Sequence, residues 1–273
     1  MQKVIITGVT GFLGSYLFKK LKKNFNVTGF SRKKNYNFSF VKKYSDIHKE
    51  NAFLIYLSEE SNITTFNKFS NFRIKENQKI LEVLSRKFGK KLIYASSSKI
   101  YSDKNRRQLK ETDSADPKNK YEKNKINCEK IVLKNNGIVL RISNIYGDKI
   151  KKESVFLKII RQINNKSPYL YLNSTHHIRD FLYIEDLLEL FKKIISNPKT
   201  GIFNVGSGKG ISILSLLKLI SKIFNKNKKI IVKDKYIKFS CQILNIDRVY
   251  RTFKWKPRFS IYKKLEQVIK YYG

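Results

Sequence analysis

Three glycines near the start of the chain constrain it most. The short apolar run Val4-Ile5-Ile6 leads directly into Thr7-Gly8-Val9-Thr10-Gly11-Phe12-Leu13-Gly14, and apolar residues then recur at helical spacing from Phe12 to Leu21. That order specifies a strand, a tight turn and a helix. Each glycine has its own reason. Gly8 permits the sharp reversal, Gly11 removes a Cβ where backbone N–H groups would approach a pyrophosphate, and Gly14 lets the helix pack close to the strand. The helix N-terminus adds uncommitted N–H donors and a partial positive charge. A turn of this kind at the head of an α/β pattern is the context expected of a dinucleotide-binding loop, here Gly8 and Thr10 to Gly14.

The rest of the chain continues the alternation. Strands are expected at Val27–Phe30, Phe53–Leu57, Leu92–Ala95 and Ile138–Ile142. Helices are expected through Ile74–Leu84 and Tyr121–Leu133, the latter stopped at Asn135-Asn136-Gly137. Strands that are continuous apolar runs, separated by helices, indicate a parallel sheet covered on both faces. The fold class is therefore α/β, a Rossmann-type doubly wound parallel sheet with a smaller C-terminal substrate-binding lobe. Beyond Asn144 the pattern is less regular, with short strands near Tyr169–Leu172 and Gly201–Val205 and a helix near Ser212–Phe224. The expected division is a dinucleotide-binding domain from residues 1–143 plus about 176–205, and a lobe from about 144–175 and 206–273. Ligands of such sheets bind at the carboxyl ends of the strands.

The end of the second strand bears on the choice of cofactor. Selectivity for NAD uses an acid there to accept from the ribose 2′-OH. This chain has Ser31-Arg32-Lys33-Lys34, with no acid and three bases. Ser31 and Arg32 suit a 2′-phosphate, so NADP is expected over NAD.

Tyr121 and Lys125 stand four apart on a predicted helix, hence on one face. A free phenol has a pKa of about 10, so it exchanges protons at neutral pH only if its anion is stabilised, as a nearby ammonium would do. The Y-x-x-x-K spacing alone is weak, since Tyr16 and Lys20 repeat it. Upstream, Tyr94-Ala95-Ser96-Ser97-Ser98 ends a buried strand, which brings a hydroxyl to the sheet's carboxyl edge. A serine there donates to a reacting carbonyl oxygen and shares its proton with Tyr121.

Taken in order, these segments resemble the extended short-chain dehydrogenase/reductase family, in its branch of nucleotide-sugar epimerases, dehydratases and reductases. The resemblance spans nearly the whole chain. It rests on TGVTGFLG at 7–14, YASSSKIY at 94–101, Pro117 with Tyr121 and Lys125, RISNIYG at 141–147, RDFLYIED at 179–186, FNVG at 203–206 and WKP at 255–257. It implies that Ser97 polarises the carbonyl, with Tyr121 and Lys125 as its catalytic partners. It sets Asp46 and Ile47 beside the adenine, Leu57 and Ser58 along the cofactor, and Ser98 and Asn144 on the substrate side. Arg179 would meet the nucleotide diphosphate, where a guanidinium fork suits phosphate oxygens. Dehydratases of the family follow their Thr/Ser with Asp-Glu. Here Ser98-Lys99 follows Ser97, which argues against a 4,6-dehydratase.

The resulting expectation is an NAD(P)-dependent oxidoreductase acting on a nucleotide sugar, first an NADPH-dependent reduction of a keto sugar with Tyr121 as acid/base. An NAD-dependent 4-epimerase uses the same residues and is the alternative. Surface-polysaccharide sugar synthesis is the setting that the resemblance suggests. A third possibility follows from 58 Lys and Arg against 21 Asp and Glu, a net charge of +37: a non-catalytic family member bound to RNA. The bases are scattered, however, and even the densest stretch, eight lysines and Asp234 between Lys218 and Lys238, lacks interleaved stacking aromatics. Nucleic acid is therefore not the expected partner. No apolar run reaches the roughly 20 residues of a membrane span, and no secretory leader is present, so a cytoplasmic protein is expected. Two cysteines and three scattered histidines make neither a disulfide framework nor a metal site. The Ile74–Leu84 helix suits either a homodimer contact against a second subunit's Tyr121 helix or burial within the monomer.

Overall fold

The alternating apolar runs form a seven-stranded, wholly parallel sheet in the computed structural model of the chain, which describes residues 1–34, 37–104, 107–148, 154–233 and 238–271. In chain order the first half comprises β1 (Lys3–Thr7), α1 (Phe12–Leu21), β2 (Asn26–Ser31), β3 (Ser39–Phe40), β4 (Ala52–Tyr56), α2 (Ile63–Asn67), α3 (Asn71–Phe88), β5 (Leu92–Ser97), α4 (Lys120–Lys134) and β6 (Ile138–Ile142). The second half comprises β7 (Asn144–Tyr146), α5 (Val155–Asn164), β8 (Tyr169–Leu172), β9 (Ile178–Tyr183), α6 (Ile184–Ser196), β10 (Gly201–Val205), β11 (Gly210–Ser212), α7 (Ile213–Phe224), β12 (Lys229–Val232), β13 (Cys241–Gln242), α8 (Asp247–Phe253) and α9 (Ile261–Lys270). Asp234 and Lys235 of the basic stretch lie outside the described residues.

The sheet order is β3-β2-β1-β4-β5-β6-β10. Successive strands therefore run away from β1 in both directions, and the order reverses between β1 and β4. A crevice opens there at the carboxyl edge. Alternation within each strand explains the unbroken apolar runs. Val4, Ile6, Phe53 and Ile55 pack with α1, α6 and α8 on one face. Ile5, Leu54, Tyr56 and Tyr94 pack with α3 and α4 on the other. All five residues of β4 and of β6 are buried, as expected for strands with helices on both sides.

Residues 176–205, expected to belong to the sheet domain, divide between the two sheets. β10 extends the large sheet at β6, whereas β9 pairs with β7, β11 and β13 in a smaller sheet. A second apolar core joins β8 and β9 to α5, α7 and α9. The helix through Ile74–Leu84 is α3, which packs on α4 within the chain and contributes buried Leu81, Leu84 and Phe88. The helix through Tyr121 ends as expected: Asn136 adopts φ +57° and Gly137 begins the return to β6. Among the described residues no helix is long and apolar enough to cross a membrane.

Candidate active site

The glycine turn is built by close approach. Gly8 has φ +69°, and a Cβ there would lie 2.4 Å from the Leu57 carbonyl oxygen. A Cβ on Gly14 would lie 2.2 Å from the Gly8 carbonyl oxygen, so strand and helix approach as only glycine allows. Gly11 differs, because its Cβ would meet only the Gly8 oxygen, at 3.3 Å. Gly11 is also the N-cap of α1, with no side-chain cap and no acid in the first turn. The leading N–H groups of α1 are thus open to an external anion. A cavity of about 290 Å³ adjoins them, lined by Gly8, Gly11, Phe12, Leu13 and Gly14 from the turn and by Leu57 beyond β4. This cradle, closed to any Cβ on one side and open to N–H donors on the other, fits a dinucleotide.

Ser97, Ser98, Tyr121, Lys125 and Asn144 line the same cavity. α4 begins at an Asn119 cap whose side chain accepts from the Glu122 N–H, and this directs its first turn at the crevice. Tyr121 is buried. Its ring meets Phe66 edge-on at 5.6 Å, and its backbone N–H donates to Asn67 Oδ1 at 3.1 Å. One turn later, Lys125 Nζ lies 5.7 Å from the Tyr121 ring centre. The three serines have different surroundings. Ser96 Oγ donates to Glu129 beneath the sheet edge, and Ser98 is buried in the following turn. Ser97 Oγ accepts the Lys99 N–H at 3.2 Å, which leaves its own proton for the cavity.

The sequence reasoning overlooked Glu59. Lys125 Nζ donates to Glu59 Oε2 at 2.6 Å and to the Ala95 carbonyl at 2.8 Å, so one of its three N–H bonds remains for the cavity. Glu59 also accepts from Tyr94 Oη at 2.7 Å, from Asn124 Nδ2 at 3.3 Å and from the Cys128 thiol at 3.3 Å. Burial alone would raise the Glu59 carboxyl, but Lys125, Tyr94 and Cys128 hold it below the usual carboxylate range. Burial would likewise lower the Lys125 ammonium, and Glu59 reverses that, keeping it charged. The one available signal was the Glu59-Glu60 pair beyond the third predicted strand, in a chain with only 21 acids.

A second cavity of about 890 Å³ continues from the first through Lys99, Asn144 and Ile145. Its lining includes Lys158, Arg161, Lys233 and Arg179, and no carboxylate among the described residues. Arg179 Nη1 is anchored to the Ile178 and Ser240 carbonyls at 2.8 and 2.9 Å, which aims the rest of the guanidinium at this space. Thr10, Ser31, Arg32, Asp46, Ile47 and Ser58 are not in the lining of either cavity. Ser58 N lies beside Gly8, and Thr10 is exposed on the turn. Ser31 and Arg32 sit one strand over, at the same edge as Thr7. The Arg32 guanidinium stacks 5.3 Å from the Tyr44 ring. Asp46 accepts from Lys43 N at 3.0 Å, and Ile47 is buried among Val41 and Tyr44.

Several of the other matched segments hold the fold together. Asp180 is buried and accepts from Ser207 N, Gly208 N and Leu244 N at 2.7, 3.1 and 3.2 Å, tying β9 to the loops after β10 and β13. Asp186 accepts from Arg258 N and Phe259 N, and its carbonyl accepts from Trp255 Nε1 at 2.9 Å. Asn204 bridges Tyr101 Oη and the Leu109 carbonyl, each at 2.8 Å.

The sequence pattern of the NAD dependent epimerase/dehydratase family matches residues 4–206. The chain is 26% identical over 272 residues to the uncharacterized UDP-glucose epimerase YtcB of Bacillus subtilis, covering 86% of each chain. It is 29% identical over 191 residues to a dTDP-4-dehydro-6-deoxyglucose reductase of Escherichia coli, covering 66% of this chain and 60% of that one. RMD from Pseudomonas aeruginosa, complexed with NADPH, superposes with a TM-score of 0.85 at 19% identity, over 100% of this chain and 99% of the other. UDP-glucose 4-epimerase of Thermotoga maritima, with UDP-glucose, does so at 0.83 and 19%, over 99% and 98%. At such identities the solved structures establish the Rossmann-type fold, while the sequence match establishes membership: the chain belongs to the NAD dependent epimerase/dehydratase family of nucleotide-sugar epimerases, dehydratases and reductases.

Proposed function

We propose that this chain reduces a keto sugar carried on a nucleotide, using NADPH. The observation that carries the reading is that Ser97, Tyr121 and Lys125 line one cavity with the glycine turn. In this reading the turn and the N–H groups of α1 hold the cofactor's diphosphate, and Leu57 and Ser58 flank it. The remaining N–H of Lys125 reaches a ribose hydroxyl. When bound, the cofactor supplies the hydride. Tyr121 gives its proton to the carbonyl oxygen of the sugar, and Ser97, whose acceptor side is occupied by the Lys99 N–H, donates to that same oxygen. The charge of Lys125 favours the phenolate that remains. Arg179 takes the diphosphate of the nucleotide in the larger cavity.

The preference for NADPH rests on Arg32. Stacking on Tyr44 restricts its guanidinium at the end of β2, where residues 31–34 include no acid, and an ordered fork suits a 2′-phosphate. Titration with both cofactors tests this. NADPH should bind about 10- to 100-fold more tightly than NADH, the worth of a charge-assisted pair, and Arg32→Ala should remove that margin without weakening NADH. Equal affinities in the parent chain would refute it.

The similarity to a UDP-glucose epimerase supports a second reading, in which the same Tyr121 removes and returns the proton of a 4-hydroxyl while NAD stays bound. Stoichiometric NAD released on denaturing the purified protein would favour the epimerase. Protein that releases no dinucleotide and selects NADPH would favour the reductase.

A further inference from the structure

Glu59 stands three residues beyond the end of β4 and is the one carboxylate lining the smaller cavity among the described residues. Two bases line that cavity as well. Lys99 is exposed, whereas Lys125 is buried and donates to Glu59 Oε2 at 2.6 Å. Glu59 is itself enclosed, with 8% of its side chain exposed. Its other donors, Tyr94 Oη, Asn124 Nδ2 and the Cys128 thiol, are neutral groups. Lys125 is thus the single positive charge bonded to it. A glutamine carbonyl also accepts from a lysine or a tyrosine, so what the acid adds at this place is a negative charge.

In the reading above, Tyr121 and Ser97 hold the carbonyl oxygen, and hydride reaches the adjoining carbon only from a nicotinamide ring about 3 to 3.5 Å away. That ring is neutral while it carries the hydride and cationic once it has given it up. The positive charge therefore develops in the cavity that already holds the Lys125 ammonium, and like charges repel strongly where water is excluded. We propose that Glu59 decides the direction of hydride transfer: by cancelling the charge of Lys125 it stabilises the oxidised cofactor relative to the reduced one and makes the site a hydride donor. This rests on the cofactor reading above. An uncompensated ammonium would do the reverse and hold the hydride on the ring.

Calorimetric titration with both members of the pair that the chain prefers, NADP+ and NADPH or NAD+ and NADH, gives the ratio of oxidised to reduced affinity. Glu59→Gln should lower that ratio about tenfold at about pH 6.5, low enough for an unpaired Lys125 to stay charged. Tenfold is about 30 mV in a two-electron couple, in the sense that makes the bound cofactor a weaker hydride donor. Loss of packing would weaken both forms alike and leave the ratio in place. Glu59→Gln combined with Lys125→Met removes both charges and should return the ratio to the parent value. A ratio that Glu59→Gln leaves unchanged, or that the double variant fails to restore, would overturn the assignment. If the parent chain binds neither form, the dinucleotide reading itself falls, and the role of Glu59 with it.

Discussion

Two buried ion pairs join α4 to the sheet, and they serve different ends. Lys125 and Glu129 lie one turn apart on α4, the spacing at which a surface helix would pair them with each other. Instead Lys125 reaches Glu59 beyond β4, and Glu129 reaches Arg141 on β6. Both pairs are equally buried, with side-chain exposures of 7% and 8% in the first and 8% and 4% in the second. In the Arg141 pair all three guanidinium nitrogens are engaged. Nε and Nη2 bind the Glu129 carboxylate at 2.8 to 3.2 Å, and Nη1 binds Tyr101 Oη at 2.7 Å and the Glu111 carbonyl at 3.2 Å. Neither residue lines a cavity. The Lys125 pair keeps one N–H open to the crevice. A guanidinium engaged through all three nitrogens away from both cavities ties loop 109–111 and α4 to the sheet, while an ammonium that lines the cavity with a donor to spare is suited to holding a ligand.

Four experiments would break or sharpen that contrast, and the largest effect concerns the open side. Tyr121→Phe should lower turnover by roughly 10²- to 10⁴-fold, the range for loss of a general acid. Its urea midpoint should hardly move, because the ring and backbone N–H, which the substitution keeps, are what anchor it. A variant that turns over normally would remove Tyr121 from the chemistry. Next comes the closed pair: Glu129→Ala leaves Arg141 charged and buried, and should cost about 3 to 5 kcal/mol in urea unfolding. Cofactor affinity of the folded protein should be retained, since neither partner meets the cavity.

Lys125→Met is expected to cost less stability, about 2 to 3 kcal/mol, because Glu59 keeps its Tyr94 and Asn124 donors. Adding Glu59→Gln should recover most of that loss without restoring turnover. If the double variant were as active as the parent, Lys125 would be structural only. The smallest effect is in pH. A carboxyl whose folded pKa is depressed stabilises the fold above its unfolded value, and that contribution is lost as pH falls through the folded value. Glu59 starts from an ordinary value of 4.5 and is held beneath it. Unfolding free energy of Glu59→Gln should therefore vary less steeply with pH below 4.5 than that of the parent chain. Identical slopes would mean that Glu59 is not ionised in the fold.

Much of the site could be read from sequence because its reasons are local. Gly8 and Gly14 are demanded by contacts within one strand–turn–helix, and Tyr121 shares a face with Lys125 through helical geometry alone. The parallel sheet followed from apolar runs that could not have one face in water, whereas the short, exposed edge strand β3 carries no such run and was not expected. The smaller lobe was less legible. Membership of β9 in its sheet depends on pairing with strands up to just over sixty residues away, Cys241 with Ile178 among them, and no periodicity encodes a partner. The choice among Ser96, Ser97 and Ser98 came from resemblance; all three line the cavity, and the Ser96 hydroxyl donates to Glu129.

The sequence by itself determined the class of fold, the cofactor turn and the pairing of a phenol with an ammonium, because each follows from backbone conformation or from the repeat of a single element. Only the tertiary structure decided which carboxylate meets which base. Glu59 and Lys125 are sixty-six positions apart, and they meet because β4 and α4 converge at one edge of the sheet. The physical reason is that charge acts through space at a few ångströms, and the distance between two side chains is set by how the strands cross.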